Sequence, residues 1–233
     1  MKLTTFRPDL FGPHREFQAF LSMLHVIGLP FNPFQENTWL LHNGDQALVI
    51  DPGCWNREEE HVLEEELTRN KLRLVRCLLT HAHIDHVLGL AWVHRRFGLA
   101  PELHRADLPL LDAAPRQGQM YGIPCEASPP AKAFLQEGDI ITLGRDELSV
   151  VHVPGHSPGH VAFVCGAQAF VVSGDVLFKG SIGRTDLPGG DHDQLIDSIR
   201  SKLLPMADNT VVYCGHGPDT TIGEERRSNP FLR

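Results

Sequence analysis

Four side chains that can bind a metal lie within six positions in the segment Thr80-His81-Ala82-His83-Ile84-Asp85-His86. Imidazole nitrogens and carboxylate oxygens suit borderline divalent metals such as zinc, iron and manganese. A single catalytic zinc typically takes three protein ligands, so these four side chains exceed what one ion needs. Helix capping or core packing, the usual role of a lone histidine, does not account for such density. The segment therefore predicts two divalent metal ions, with zinc as the main candidate and iron or manganese as alternatives.

This segment follows a buried strand predicted at 72–79 and precedes a helix predicted at 86–97. Function at the carboxyl end of a strand is usual in α/β sheets, whereas the zinc-protease motif places its two histidines on one helix. In a loop, His81 and His83 can face one ion while Asp85 and His86, at the helix start, face another. We therefore expect a strand-to-helix loop that serves two separate ions.

Strand-like and helix-like segments interleave along the rest of the chain. The other predicted strands are 24–28, 37–42, 46–50, 138–143, 147–153, 160–165, 169–174 and 210–214, and the other predicted helices are 57–69, 191–204 and 222–228. The segment 113–132 is rich in proline and glycine without a clear period, so we expect a long surface loop there. Residues 1–22 are interpreted as an N-terminal extension, and residues 23–233 as one domain.

The composition restricts the class of function. The chain of 233 residues is long enough to bury a sizeable core, and its formal net charge of −8 comes without a long basic stretch, which argues against a nucleic-acid partner. No run reaches the roughly 18 apolar residues of a membrane span, and the start of the chain lacks a signal peptide's apolar stretch. Five cysteines, an odd number, disfavour a disulfide framework. We therefore expect a cytoplasmic protein without a membrane partner.

Three further candidate ligands follow predicted strands in the second half of the chain. They are His156 in Gly155-His156-Ser157-Pro158-Gly159-His160, Asp175 after Ser173-Gly174, and His216 in Tyr213-Cys214-Gly215-His216-Gly217. Small residues flank each of them, as expected where the backbone passes close to a metal or a substrate. Each motif alone is also ordinary turn chemistry. Only their combination with the 80–86 segment makes a strong prediction of function.

Together these motifs resemble the metallo-β-lactamase fold superfamily over nearly all of residues 24–231. The resemblance implies a mixed α/β (α+β) fold, a four-layer αββα sandwich whose strand ends hold two metals. The ligands that it implies are His81, His83 and His156 for the first metal, Asp85, His86 and His216 for the second, and Asp175 as a bridge.

Two more residues are candidates for supporting roles at this centre. Asp51 matches the superfamily's early acidic position, where a carboxylate can orient a ligand histidine. Its alternative role is that of an ordinary turn residue. His160 lies four residues beyond His156 and is predicted either to contact a ligand or the substrate, or simply to pack.

Hydrolysis is the expected reaction of such a centre. Two metals about 3.5–4 Å apart lower the pKa of a bridging water toward neutrality and polarise an acyl or phosphoryl oxygen. Hydroxide on the metals is then the expected nucleophile, with Asp85 and Asp175 as the catalytic carboxylates. The sequence has no Gly-x-Ser-x-Gly elbow, so a serine-hydrolase mechanism lacks a candidate nucleophile.

Within the superfamily, the chain most resembles the short, single-domain branch of the glyoxalase II-like group. That group hydrolyses hydroxyacylglutathione thioesters such as S-lactoylglutathione, so the expected partner is a small glutathione-linked thioester. The group's basic residue after the strand end Gly174-Asp175-Val176-Leu177-Phe178 is matched by Arg184, which is available for a glutathione carboxylate, and Lys179 is a second candidate. Lactamases of this fold typically have Cys or Ser at the bridging position, so Asp175 argues against antibiotic hydrolysis.

Two other functions remain open at this point. Persulfide dioxygenases share the fold and use one iron held by the equivalents of His81, His156 and Asp175, and their Gly-Arg-Thr-Asp segment resembles residues 183–186. A metal-binding protein without catalysis requires a blocked pocket. The sequence shows no lost ligand that favours this last alternative.

Overall fold

The structure, a computed structural model, describes residues 23–233, so the predicted extension at 1–22 lies outside the described residues. A six-stranded sheet comes from the first part of the chain. Its strands are β1 (His25–Phe31), β2 (Glu36–Asn43), β3 (Gln46–Ile50), β4 (Arg73–Leu78), β5 (Pro101–His104) and β6 (Ala133–Leu135), in that spatial order. Strands β1 to β3 pair antiparallel, whereas β3 to β6 pair parallel.

A second six-stranded sheet comes from the rest of the chain. Its strands are β7 (Ile140–Leu143), β8 (Asp146–His152), β9 (Val161–Cys165), β10 (Phe170–Gly174), β13 (Val211–Cys214) and β14 (Thr220–Thr221). The spatial order is β14-β13-β10-β9-β8-β7, and only the pair β10 and β13 is parallel within this sheet. A small hairpin of β11 (Leu177–Phe178) and β12 (Ser181–Ile182) forms a separate two-stranded sheet that packs against the second sheet.

Helices cover the outer face of each sheet. They are α1 (Arg57–Arg69), α2 (Leu90–Phe97), α3 (Leu108–Tyr121), α4 (His192–Ser198), which continues as a π-helical turn over Ile199–Leu203, and α5 (Ile222–Ser228). Within residues 23–233, no helix is long and apolar enough to cross a membrane.

The layers follow from the two-residue period of the strands. In β3, Leu48 and Ile50 point toward the second sheet and share a core with Phe163 of β9. The alternate residue Val49 points the other way and packs in a core with Leu63 of α1. On the far side, the second sheet packs against α4 and its π-helical turn and against α5. The architecture is therefore the predicted four-layer αββα sandwich.

Every predicted strand is present, but the surface loop predicted at 113–132 is wrong for its first part. Helix α3 runs through it to Tyr121, with Pro115 inside the helix. Proline and glycine favour a break in the helix there, yet the helix buries an apolar stripe that includes Leu110, Leu111 and Ala114. Pro109 lies in the first helical turn, where a missing N–H costs nothing. Burial of the stripe therefore outweighs the local preference against a helix.

The helix predicted to begin at 86 begins later, at Leu90. Residues Ile84–His86 form a separate 3-10 turn, so Asp85 and His86 lie before the helix and not at its start. Residues 87–89 form a turn between the two. Gly89 in this turn packs so closely against Cys54 that a Cβ there would lie 2.5 Å from the sulfur. The unpredicted strands β5, β6, β11, β12 and β14 have two to four residues each, too few to show a period.

Candidate metal centre

The seven predicted ligands converge at one edge of the sandwich from both sheets. His81 and His83 lie on the loop after β4, and the other five are supplied by the 3-10 turn and by the segments after β8, β10 and β13: Asp85, His86, His156, Asp175 and His216. Five of the seven are buried, while the side chains of Asp85 and His216 are 14% and 27% exposed. The centre is thus open to solvent on one side only.

Three imidazole rings, those of His81, His83 and His156, form one group, called here the three-imidazole triad. His156 Nε2 lies 2.8 Å from His83 Nδ1 and 3.2 Å from His81 Nε2. The outward nitrogen of His156 is fixed: its Nδ1 lies 2.7 Å from the carbonyl oxygen of Arg184, which can only accept. A neutral His156 therefore carries its proton on Nδ1 and presents a lone pair to its neighbours.

The same reasoning applies to His81. Its Nδ1 lies 3.0 Å from the hydroxyl of Thr80, whose own proton is donated to Asp51 Oδ2 at 2.5 Å. The hydroxyl must then accept from His81 Nδ1, so that Nε2 is unprotonated in the neutral ring. Two lone pairs therefore face each other at 3.2 Å, an arrangement that a cation between them stabilises.

Asp85, His86 and His216 form the second group, called here the carboxylate triad. His216 Nε2 lies 3.1 Å from Asp85 Oδ2, and His86 Nε2 lies 3.6 Å from the same oxygen. His216 Nδ1 is held by the carbonyl oxygen of Phe34 at 3.0 Å, and His86 Nδ1 by Asp51 Oδ2 at 3.1 Å. Both rings are therefore oriented with Nε2 toward the centre.

Asp175 contacts both triads. Its Oδ2 lies 3.5 Å from the Nε2 atoms of His156 and His216, and its Oδ1 lies 3.5 Å from His86 Nε2. The backbone of the His216 loop passes so close that a Cβ at Gly215 would lie 2.0 Å from Asp175 Oδ1. Only glycine at position 215 therefore lets the His216 loop lie this close to the Asp175 carboxylate.

The two triads differ in their affinity for protons. Burial, and next the neighbouring His86, lowers the pKa of His81 well below its usual range. Burial and then His156 lower the pKa of His83 to about 3. Both rings are therefore neutral at physiological pH.

The carboxylate triad shifts the other way. Burial alone lowers the pKa of His86, but the charges of Asp85 and Asp175 outweigh it and raise the pKa well above its usual range. The pKa of His216 is raised too, because the bond to Asp85 and the charge of Asp175 outweigh burial. Burial favours the neutral acid of Asp175, yet the charge of His86 holds the pKa of Asp175 below its ordinary value. Positive charge is thus favoured between these residues.

The donor atoms fit divalent metal ions. Each triad brings one donor atom per residue, and the three atoms lie within 4.8 Å of one another. Among the described residues, His86 Nε2 and Asp175 Oδ1 are buried without a hydrogen-bond partner, which is costly unless another group binds them. Nitrogen and carboxylate donors together suit the borderline metals, and the chemistry does not distinguish zinc from iron or manganese.

Asp51 lies beneath the centre and bonds to both sides of it. It accepts hydrogen bonds from the Thr80 backbone N–H at 2.7 Å, from the Thr80 hydroxyl and from His86 Nδ1. Since its carboxylate oxygens are already engaged, Asp51 orients His86 directly and His81 through Thr80. These hydrogen bonds are the ones that a ligand-orienting carboxylate would make. The role of Asp51 in metal binding stays a prediction.

His160 lies next to the centre without facing its interior. Its Nε2 accepts a hydrogen bond from the backbone N–H of Asp175 at 3.1 Å, and its ring stacks on that of His81 at 4.7 Å between centroids. Gly174 makes room for it, because a Cβ there would lie 2.8 Å from the imidazole. His160 thus contacts two residues of the three-imidazole triad, His81 and His156, and also Asp175, which joins the triads.

Sequence reasoning missed two supporting residues, Asn37 and Asp107. Asn37 of β2 donates to the carbonyl oxygens of Cys214 and Gly217, which holds the loop of His216. The polar run Glu36-Asn37-Thr38 at the start of an otherwise apolar strand is a signal that could have revealed it. Asp107, buried beside the loops of His81 and His156, had no such signal because its sequence neighbours are ordinary.

A cavity of about 720 Å³ opens beside the carboxylate triad. Its wall is largely apolar and is formed by Phe34, Ile84, Leu110, Met120, Tyr121, Phe178, Ile182, Leu187 and Pro188. At the rim, Tyr121 and Met120 are 57% and 78% exposed. The cavity has the size and lining of a small-molecule site.

The two predicted substrate-binding cations differ in position. Arg184 lines the cavity and forms a forked ion pair with Asp186, in which Nε and Nη2 contact the two carboxylate oxygens at 2.7 Å each. Lys179 is exposed at the turn of the β11–β12 hairpin and, within residues 23–233, is not part of the cavity wall. The structure therefore brings Arg184 to the site and leaves Lys179 outside it.

Comparisons with known proteins identify the superfamily of the chain. Residues 31–216 match the family model described as the metallo-beta-lactamase superfamily. A relative named hydroxyacylglutathione hydrolase GloC, from Haemophilus influenzae, is 42% identical over 216 residues, which cover 90% of this chain and 98% of the relative.

Two solved structures are also similar to this chain. The crystal structure of BLEG-1 B3 metallo-beta-lactamase has a TM-score of 0.82 at 40% identity, covering 89% of this chain and 99% of that one. The crystal structure of TTHA1623 in a di-iron-bound form has a TM-score of 0.79 at 41% identity, covering 89% of this chain and 100% of that one.

Proposed function

The chain belongs to the metallo-β-lactamase superfamily of metallo-hydrolases, and we propose that it hydrolyses small-molecule thioesters with two divalent metals. The substrate that we propose is a hydroxyacylglutathione such as S-lactoylglutathione. The observation that carries the proposal is the position of Asp175, whose carboxylate oxygens contact the three-imidazole triad and the carboxylate triad at once. A carboxylate in contact with both triads can bridge two metal ions and offset part of their charge.

The residues have separate tasks in this reaction. Metals held by the two triads would supply an acidified water and polarise the thioester carbonyl. Asp85 lines the cavity, so its carboxylate can accept a hydrogen bond from the attacking water and orient it toward the substrate. His216, whose Nε2 lies 3.1 Å from Asp85 Oδ2, would bind the same metal as that carboxylate.

The cavity suits a thioester with one apolar and one anionic part. The apolar wall can take the aliphatic portions of the acyl group and of the thiol. At the rim, Asp186 engages only the Nε and Nη2 side of Arg184, so the remaining N–H donors of the guanidinium can bind a carboxylate. Glutathione carries such carboxylates, and the relative at 42% identity is named for a glutathione thioester.

The test is hydrolysis of S-lactoylglutathione by the full chain loaded in turn with zinc, iron or manganese. The loss of thioester absorbance measures the rate of hydrolysis. Turnover that needs two metals per chain supports the proposal, and the Asp175→Ala variant is the inactive control. Absence of thioesterase activity with every metal would refute it. Oxygen uptake on glutathione persulfide by protein with one iron per chain would assign the persulfide dioxygenase reaction instead. The segment Gly183-Arg184-Thr185-Asp186 resembles a segment of those dioxygenases.

A second candidate is β-lactam hydrolysis, since a protein named as a metallo-beta-lactamase is 40% identical to this chain. Asp175 argues against it, because lactamases of this fold typically carry Cys or Ser at that position. A chromogenic cephalosporin assayed beside S-lactoylglutathione decides between the two. Higher kcat/KM for the cephalosporin would replace the thioester assignment.

A further inference from the structure

Asp107 is a buried carboxylate whose bonds lead to the metal centre. It ends a 3-10 turn, Arg105–Asp107, that connects β5 to α3, and its relative exposure is 0%. Aspartate at the residue before a helix usually caps that helix. Within the described part of the chain, Asp107 makes no such capping bond to α3. Its carboxylate therefore has another role.

The carboxylate accepts three hydrogen bonds from two other loops. Oδ2 accepts from the backbone N–H of Ala82 at 3.0 Å and from the hydroxyl of Ser157 at 2.8 Å, and Oδ1 accepts from the backbone N–H of Gly159 at 2.6 Å. The approach is close, because a Cβ at Gly159 would lie 2.8 Å from Oδ1. Glycine at 159 is thus needed for this contact.

These three donors belong to the loops that carry the three-imidazole triad. Ala82 lies between His81 and His83 in the sequence, and Ser157 follows His156 directly. One carboxylate thus joins the loop of two ligands to the loop of the third. Asp51 differs from it, because Asp51 bonds to His86 of the carboxylate triad as well as to Thr80.

We propose that Asp107 is a positioning residue that sets the metal affinity of the three-imidazole triad without setting that of the carboxylate triad. The inference rests on the metal centre of the proposed function and is independent of the substrate. Residues that orient metal ligands typically contribute about 10- to 100-fold in metal affinity. The hydrogen bonds that Asp107 accepts from the two loops should contribute a factor in this range to the affinity for one of the two metals only.

The substitution that tests this is Asp107→Asn, which keeps the size of the side chain. One of its two terminal atoms becomes an NH₂ group that cannot accept, so at least one backbone N–H, of Ala82 or of Gly159, loses its acceptor. The matched control is Asp112→Asn, an exposed aspartate on α3. Circular dichroism and the melting temperature report whether each variant folds.

The measurement is zinc affinity of the zinc-loaded full chain, by competition with a chelator. Two ligand substitutions separate the triads: His216→Ala leaves the three-imidazole triad intact, and His83→Ala leaves the carboxylate triad intact. We expect Asp107→Asn to weaken zinc about 10- to 100-fold in the His216→Ala background, and to leave it unchanged in the His83→Ala background. Asp112→Asn should change neither.

Equal weakening in both backgrounds would show that Asp107 supports the fold in general and would overturn the proposal, as would no weakening in either. If Asp107→Asn does not fold, Ser157→Ala takes its place, since it removes one of the three hydrogen bonds. It should weaken zinc at the three-imidazole triad by a smaller factor, and an unchanged affinity there would again overturn the proposal. Because the readout is metal affinity, this test can fail while thioesterase activity stands, and the reverse.

Discussion

The three-imidazole triad and the carboxylate triad lie side by side, yet they treat protons in opposite ways. Burial lowers the pKa values of His81 and His83, whereas nearby carboxylates raise those of His86 and His216 despite burial. His81 and His83 therefore offer neutral rings, whereas His86 and His216 hold protons that a metal must displace. Two neighbouring sites built from similar ligands can thus differ in metal affinity and in its dependence on pH.

Asp175→Ala should break both triads at once and gives the largest expected effect. Without this carboxylate, two divalent ions would face each other with no shared negative charge between them. We expect loss of metal and of nearly all hydrolysis together, measured as metal content per chain and as turnover of S-lactoylglutathione. A variant that kept two metals and normal turnover would remove Asp175 from the centre.

Lowering the pH should empty the carboxylate triad before the three-imidazole triad. A raised pKa means that His86 and His216 bind protons at higher pH, so metal competes with up to two protons there. Its affinity should fall by up to about 100-fold per pH unit below those pKa values. The lowered pKa values of His81 and His83 keep these two rings neutral over the same range. Metal content after dialysis at stepwise lower pH checks this, and simultaneous loss of both ions would contradict it.

Four of the seven predicted ligands stand out in the sequence because a dense polar segment such as 80–86 has no role in an ordinary core. Asp51 is predicted only through its match to the superfamily's early acidic position. Asp107 and Asn37 were not, because their partners are backbone groups of loops far away in the sequence. Helix α3 was missed for a related reason: its stripe is stabilised by contacts with the sheet, which override the local signal of Pro115.

Asp51→Asn should weaken both triads, in contrast to Asp107→Asn. The carboxylate bonds to His86 directly and to His81 only through Thr80, so the carboxylate triad should lose more affinity. We expect about 10- to 100-fold weaker zinc there and a smaller loss at the three-imidazole triad. Chelator competition in the His83→Ala and His216→Ala backgrounds measures both losses. A loss confined to the three-imidazole triad would contradict the hydrogen-bond pattern.

Arg184→Ala should affect the substrate while leaving both triads filled. A charge-assisted hydrogen bond contributes about 1.5–3 kcal/mol, so kcat/KM for S-lactoylglutathione should fall roughly ten- to a hundredfold, mostly through KM. A neutral thioester without the glutathione carboxylates should be affected far less. Asp186→Asn, which frees the guanidinium from its forked partner, should lower KM for the anionic substrate only. An equal penalty on both substrates would end the assignment of Arg184.

The most direct measurement of the central claim is the metal content per chain of protein purified without added metal, taken together with its turnover of S-lactoylglutathione. We predict two divalent ions per chain and thioester hydrolysis that disappears on chelation and returns only when both ions are restored. Full hydrolysis with a single ion per chain, or two ions without hydrolysis of the thioester, would contradict a two-metal thioesterase.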